Sequence, residues 1–414
     1  MIEAQDVGAV SGLSSINFDA IAKERIFKSI ATTRLDSLKN LKQSFRDLHT
    51  RLGRPPQLID YARFDVVDPV VIAGARGNYW NLLNSFKVVD EVPTPAEDKA
   101  LTFISSEFLN GKRPHELLLL QHLLNTRSST SESGLRRLLE SAGAGADEAT
   151  IASLARVFNL EFFTEGDQKK YGSPILEWSQ EGISFTSEFA RSLDESQMFS
   201  DHVMDVVDTG LFLSRHRYQW DKQLEVGKKY SRKDVCRLLN WKSDQKGTMY
   251  GYKVDVYSNS CPIFVTYHKD NEVSASTSYE DSFLSENTLR WFTRSKRTLL
   301  SKEVRAIVGN HVPLYLFAKK DDAEGTDFYY LGQAVSSKPV QTKMPGDGGK
   351  SLDVVTMDLS LDTPIELALY DYLTTGPALS DNAQGSESKT DAEAGDPKAQ
   401  SRRPSGVEAA ATLF

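Results

Sequence analysis

The sequence predicts an α+β protein with an N-terminal helical domain, a winged-helix-like middle and a C-terminal, antiparallel, barrel-like sheet. Three observations carry this. Apolar residues recur at three- and four-residue steps in the first third of the chain. Short strand-like pieces alternate with turns and helices in the middle, and after about residue 222 Val, Ile, Tyr and Phe gather in short runs. The chain has 414 residues, 40% hydrophobic and 26% charged, which excludes collagen-like and wholly disordered classes and suggests two or three domains.

Residues 1–14, rich in Gly, Ser and Ala, read as a loose leader. The helical domain spans 15–127. Ile26, Ile30, Leu35, Leu38, Leu41, Phe45, Leu48 and Leu52 give a helical period that Gly53, Pro55 and Pro56 stop. Asp68-Pro69 leads into a short helix, Ala100 to Leu109 forms another, and Pro114 opens a third at its first turn. The winged-helix-like segment spans 134–218: Asp147 caps a helix carrying Ile151, Leu154 and Val157, Phe158 to Phe163 reads as extended, a small hairpin follows Tyr171, and helices cover Ser187 to Leu193 and Phe199 to Leu213. The β-rich recognition domain spans 222–376. In it Ser231 caps a short helix, and Met249 to Tyr257, Ile263 to Tyr267, Leu314 to Ala318, Phe328 to Leu331, Val354 to Leu359 and Ile365 to Tyr370 read as strands. Residues 377–414 lack a hydrophobic period and read as a disordered tail.

The longest pure apolar run, Leu314 to Ala318, is far short of the ~20 residues a membrane span needs, and Glu3 and Asp6 stand where an export signal is basic. A cytoplasmic protein without a membrane partner is expected. Cys236 and Cys261 are too few for a disulfide framework or a four-thiolate zinc site, and the seven histidines are scattered. No metal or cofactor is expected. The net charge of −8 hides an asymmetry: Arg215 to Lys320 holds 20 Lys and Arg against 11 Asp and Glu, an excess of +9 that leaves −17 for the remainder. A basic segment inside an acidic chain points to an anionic partner, phosphate backbones being the commonest.

Catalytic letters fail on spacing or context. Gly349-Lys350-Ser351 ends like a phosphate-binding loop, but Met344 replaces the required glycine and the run lies between strands. Asp147-Glu148 follows a Gly-Ala turn instead of the buried strand a magnesium-binding box requires. His268-Lys269-Asp270 lacks the spacing of a phospholipase-D-type nuclease, and Asp281, Glu286 and Lys302 make no compact metal-nuclease set. No nucleophile elbow occurs. The chain is read as no enzyme.

The densest feature is Ser278 to Phe283 followed by Leu289 to Thr298. Aromatics interleaved with cations meet a phosphate backbone and stack on an exposed base at one site. Arg290, Arg294, Lys296 and Arg297 are the phosphate candidates here, with Tyr279 and Trp291 as stacking faces and Glu280 or Asp281 to read a base edge. The alternative makes Phe283, Leu289 and Trp291 core and pairs the charges across the surface. A second basic group comprises Lys228, Lys229, Arg232 and Lys233, with Lys246 beyond it; it grips phosphates or is the wet face of a helix.

Leu224 to Tyr230, Gly251-Tyr252, Ile263 to Lys269, Tyr279-Glu280-Asp281, Ser295 to Thr298 and Asp327 to Gly332 resemble the uncharacterised C-terminal domain of large bacterial helicase proteins. Upstream, Leu52 to Pro56, Asp68-Pro69 and Gly111 to Leu117 resemble the same region, so the likeness covers roughly residues 35 to 375. In that family the domain follows a phospholipase-D-like nuclease and a superfamily-two helicase, as in SauUSI-type modification-dependent restriction enzymes. The resemblance implies target recognition, with a C-terminal end similar to the modified-base readers called SRA domains and to the related PUA fold. Nuclease and motor motifs are missing from this sequence, so recognition is what carries over. The expectation is a non-catalytic module for duplex DNA, with modified cytosine as its target, serving a restriction or repair helicase. The rivals are a protein-interaction subunit docking on a separately encoded helicase or nuclease, and an inactive remnant of a fused enzyme.

Overall fold

Side-chain chemistry sets the helix boundaries in the first half. The computed structural model describes residues 34–268, 281–345 and 351–375. The leader and tail readings, and the whole segment 15–33, lie outside these residues. Helix α1 (Arg34–Leu52) ends at Gly53, whose φ of 68° lies in the left-handed region that favours glycine. α2 (Leu58–Phe64), α3 (Pro69–Gly74) and α4 (Tyr79–Phe86) follow, Asp68 capping α3 through the Val70 amide and Asn78 capping α4 through Asn81. α5 (Pro95–Glu107) opens on a reciprocal box in which the Thr94 side chain accepts from the Glu97 amide and the Glu97 carboxylate from that of Thr94. Pro114 begins α6 (Pro114–Thr126). Next come α7 (Glu132–Ser141), α8 (Glu148–Phe158), capped by Asp147, and α9 (Glu165–Tyr171).

The hairpin β1 (Leu176–Ser179) and β2 (Gly182–Phe185) is bridged to Thr130, and α10 (Ser187–Glu195) and the long α11 (Gln197–Arg217) close this half. Phe158 to Phe163 is not extended. Leu160 adopts a φ of 62° and turns the chain so that Phe162 and Phe163 are buried beside Phe103 and Tyr171.

The second half is a seven-stranded sheet among the described residues. It contains β3 (Lys229–Ser231), β4 (Cys261–Thr266), β5 (Ser282–Ser285), β6 (Thr288–Phe292), β7 (Leu314–Lys319), β8 (Asp327–Pro345) and β9 (Ser351–Leu361). Their order is β4-β7-β8-β9-β6-β5, with β3 on β8. All pairs are antiparallel except β4 with β7. Tyr267, just past one end strand, stacks on Phe283 of the other at 5.4 Å, so the sheet curls until its edges approach.

Two expected strands are absent. Ile365 to Tyr370 enters the helix α14 (Leu367–Thr374), which buries Leu369 and Leu373 one turn apart. Met249 to Tyr257 makes only bridges at Tyr252 and Asp255, with Gly251 at a φ of 77° breaking the pleat. Two short helices complete this half: α12 (Arg232–Leu238), capped by Ser231, and α13 (Lys302–Val308).

Alternation along the strands divides the sheet between two cores. Phe264, Phe317, Phe328 and Tyr330 join the apolar cluster of the helical half. Their neighbours Ile263, Val265, Leu316, Ala318, Tyr329 and Leu331 join a second cluster under α13 and α14. All described residues therefore fall in one compact unit. No helix among them is long and apolar enough to cross a membrane.

Candidate nucleic-acid interface

Strand β6 fixes the geometry of the aromatic-basic string. Its side chains alternate, so Leu289 and Trp291 point into the second core while Arg290 stays outside. Trp291 is only 3% exposed, its ring packed edge-on against Tyr252 at 5.0 Å. It is a core residue, with no face free for a base, which corrects the stacking role expected of it. Asp281 is likewise buried, and its Oδ1 accepts from the Phe292 amide at 3.0 Å, tying down the end of β6. Tyr279 and Glu280 lie outside the described residues.

Arg290 pairs across the ladder with Asp358 at 2.9 Å, and Lys338 reaches the other oxygen of that carboxylate at 3.2 Å. Burial alone would raise the Asp358 carboxyl, but these two cations outweigh it and hold it below its usual value.

After β6 the chain runs along β9, pinned by the Thr293 amide to Val355 O (2.9 Å) and the Arg297 amide to Asp353 O (3.2 Å). This places Arg294 and Arg297 on one carboxylate: their guanidiniums reach Glu303 Oε1 at 2.9 and 2.5 Å. The Tyr252 hydroxyl donates to the same atom at 3.0 Å, and the Arg294 guanidinium lies 4.6 Å over the Tyr252 ring. Desolvation opposes ionisation of Glu303, yet the two arginines win and depress its carboxyl. One negative charge facing two positive ones leaves a net positive charge. Lys296, held at a φ of 61°, Lys302 and Arg305 are exposed and close to it in sequence, and none has a carboxylate at ion-pair distance among the described residues.

The second basic group is built into the fold instead. Lys229 pairs with buried Glu324 at 3.3 Å, and Lys233 with Glu107 of α5 at 2.5 Å. Arg232 is sandwiched over Phe264 and Phe328, where burial lowers its pKa. Lys246 bridges Asp244 (2.9 Å) and Asp167 (3.3 Å). These side chains are braces, which corrects the grouping made from sequence. Half-buried Lys228 has no carboxylate at ion-pair distance among the described residues.

Sequence reading passed over a third set. Lys242 and Arg156 lie 4.5 and 5.5 Å over the ring of exposed Tyr257, and Lys253 stands on the same loop. The interleaving of Tyr250, Tyr252 and Tyr257 with Lys242, Lys246 and Lys253 was the available signal. Arg156 had none, because it arrives from α8.

Two family models match the chain. Residues 41–219 match one described as a domain of unknown function (DUF8090), and residues 224–373 match another described as a domain of unknown function (DUF3427). No curated protein matches. Among solved structures, the DNA modification-dependent restriction endonuclease AspBHI aligns at 14% identity and a TM-score of 0.26, over 36% of this chain and 80% of that one. The type IV phosphorothioation-dependent restriction endonuclease ScoMcrA aligns at 11% identity and 0.25, over 79% and 68%. The structure described as KRYPTONITE in complex with mCHG DNA and SAH aligns at 16% and 0.21, over 35% and 33%.

Proposed function

We propose that the chain is a DNA-binding recognition module that works without catalysis, holding the phosphate backbone along Arg294 to Arg305 and reading modified cytosine for a restriction or repair system. The observation behind this is the shared Glu303: two guanidiniums kept in place by one carboxylate keep a surplus charge, and Lys296, Lys302 and Arg305 extend it. The sequence resemblance to helicase-associated recognition domains supports the same reading.

Fluorescence anisotropy with matched duplexes carrying cytosine, 5-methylcytosine or 5-hydroxymethylcytosine, at several salt concentrations, tests it. Binding is expected to weaken linearly in log salt and to favour a modified duplex. The pair Arg294→Ala with Arg297→Ala is expected to lower the salt slope by about 2, one unit for each lost phosphate contact. Lys296→Ala with Lys302→Ala, which leaves Glu303 paired, serves as the control for folding. No binding at low salt would overturn the reading. Intact plasmid after incubation with magnesium is the expected result for a protein that does not cut.

A second reading, docking on a separately encoded helicase or nuclease, has one feature in its favour. A cavity of about 560 Å³ on the helical half is lined by Asp201, Met204, Asp208, Phe212 and Arg215. Co-elution with such a partner would support it.

A further inference from the structure

Between Tyr252 and Ile263 the chain forms a small closed hairpin. Tyr252 bridges Ile263 and Asp255 bridges Ser260. The Asp255 amide donates to Ser260 O at 2.8 Å, the Ser260 amide to Asp255 O at 3.1 Å, and the Ser258 amide to Asp255 Oδ2 at 2.8 Å. Asn259 makes the tight return with a φ of 48°. Both cores anchor the hairpin: buried Trp241 donates from Nε1 to Ser260 Oγ at 2.8 Å, and Tyr252 packs on Trp291.

A tip fixed this firmly nevertheless displays apolar surface, with Val256 81% exposed and Tyr257 49%, and Tyr250, two residues before the hairpin, is 69% exposed. Single exposed apolar residues are ordinary. Here, however, Tyr257 beside Val256 lies under two cations. Lys242 and Arg156 lie over Tyr257, and Lys253 donates to Thr248 Oγ1 at 2.8 Å. None of the three has a carboxylate at ion-pair distance among the described residues; the nearby Asp255 carboxylate accepts from the Ser258 amide through Oδ2. The stem connects this group to the arginine pair, because the Tyr252 hydroxyl and ring touch Glu303 and Arg294.

We propose that this hairpin enters a groove of duplex DNA, Val256 wedging at a base step while Lys242, Lys253 and Arg156 take the flanking phosphates. The inference rests on the DNA-binding reading above and adds its mode. An apolar tip between cations is what a wedge needs: it partly unstacks a step, and the resulting bend brings more phosphates into reach. A preformed tip loses little conformational freedom on binding.

The test is an end-labelled duplex whose ends report bending by energy transfer, titrated with the full chain. Val256→Ala and Val256→Ser are expected to fold normally, to reduce the bend, and to weaken binding by about tenfold with an unchanged salt slope. Lys242→Ala with Lys253→Ala is expected to lower the slope by about 2. Wild-type bend and affinity in both Val256 variants, with the Arg294 and Arg297 pair still impaired, would overturn the wedge and leave the DNA reading standing. Failure of the wild type to bind any duplex would overturn both.

Discussion

At the scale of single residues, two carboxylates are held far from ordinary solvent conditions. Three donors converge on Glu303 Oε1, so Glu303→Gln keeps an acceptor while deleting a charge. DNA affinity is expected to rise about two- to fivefold, the size of one exposed charge interaction, at little cost in stability. Anisotropy against the same duplexes measures it; a fall would place the arginines away from the phosphates. Asp205 is the opposite case. It is buried between α11 and the start of α2, accepting from the Leu58 amide at 2.7 Å, the Ile59 amide at 3.2 Å and Thr209 Oγ1 at 3.2 Å. Burial still pushes its carboxyl up to about 6, against an ordinary value near 3.8. The native state therefore holds the proton more tightly than the unfolded chain. Its contribution to stability is fully present below about pH 3.8 and is lost as pH rises through 6. Asp205→Asn is expected to remove ~2 to 3 kcal/mol of that pH dependence between pH 4 and 7, read as the difference from wild type in urea melts. Parallel curves would contradict it.

At the scale of elements, the turn between α5 and α6 is pressed against the backbone of α11. Gly111 sits at a φ of 68°, and a Cβ there would meet the Ser214 amide at 2.6 Å and Gly210 O at 2.7 Å, both backbone atoms of α11. Gly111→Ala is expected to cost ~1 to 3 kcal/mol or more, seen as a lower Tm with two-state melting retained. An unchanged Tm would mean that the turn gives way freely. Signals of this local kind were the legible ones: Asp147, Ser231 and Pro114 begin helices where their chemistry says they do. Apolar runs without a clear period were not. Ile365 to Tyr370 has strand letters, yet Pro364 ends β9's exit and Leu369 and Leu373 bury on a helical spacing. Strands β5 and β6 hid inside the string valued for its charges, because aromatics suited to stacking are also suited to a pleated core. Legibility of the site divided in the same way. Arg294 and Arg297 were chosen for sequence density and do come together on Glu303, but β6's alternation sends Trp291 inward.

At the scale of the molecule, the acidic remainder of the chain is in part the counter-charge of its basic segment. Lys233 meets Glu107, Lys246 meets Asp167, and Arg237 donates to Glu107 O at 2.8 Å, each joining the second half to the first. The central joint is Lys112, which leaves the helical half to lie between Asp234 at 2.6 Å and Asp327 at 3.4 Å. Desolvation disfavours its charge, yet the two carboxylates outweigh this and raise its pKa, so removing the ammonium takes the nearest counter-charge from buried Asp234. Lys112→Ala is expected to destabilise the whole chain by ~3 to 5 kcal/mol, measured by chemical denaturation. The same joint argues that the sheet needs its helical partner. Residues 224–375 alone would bare Phe264, Phe317, Phe328 and Tyr330, which the first core now covers. Expressed by itself, that fragment is expected to bind a hydrophobic dye and aggregate, and to become soluble on co-expression with residues 34–219. A well-behaved, cooperatively melting fragment would instead mean that the second core suffices and that the charged joint only orients one half on the other.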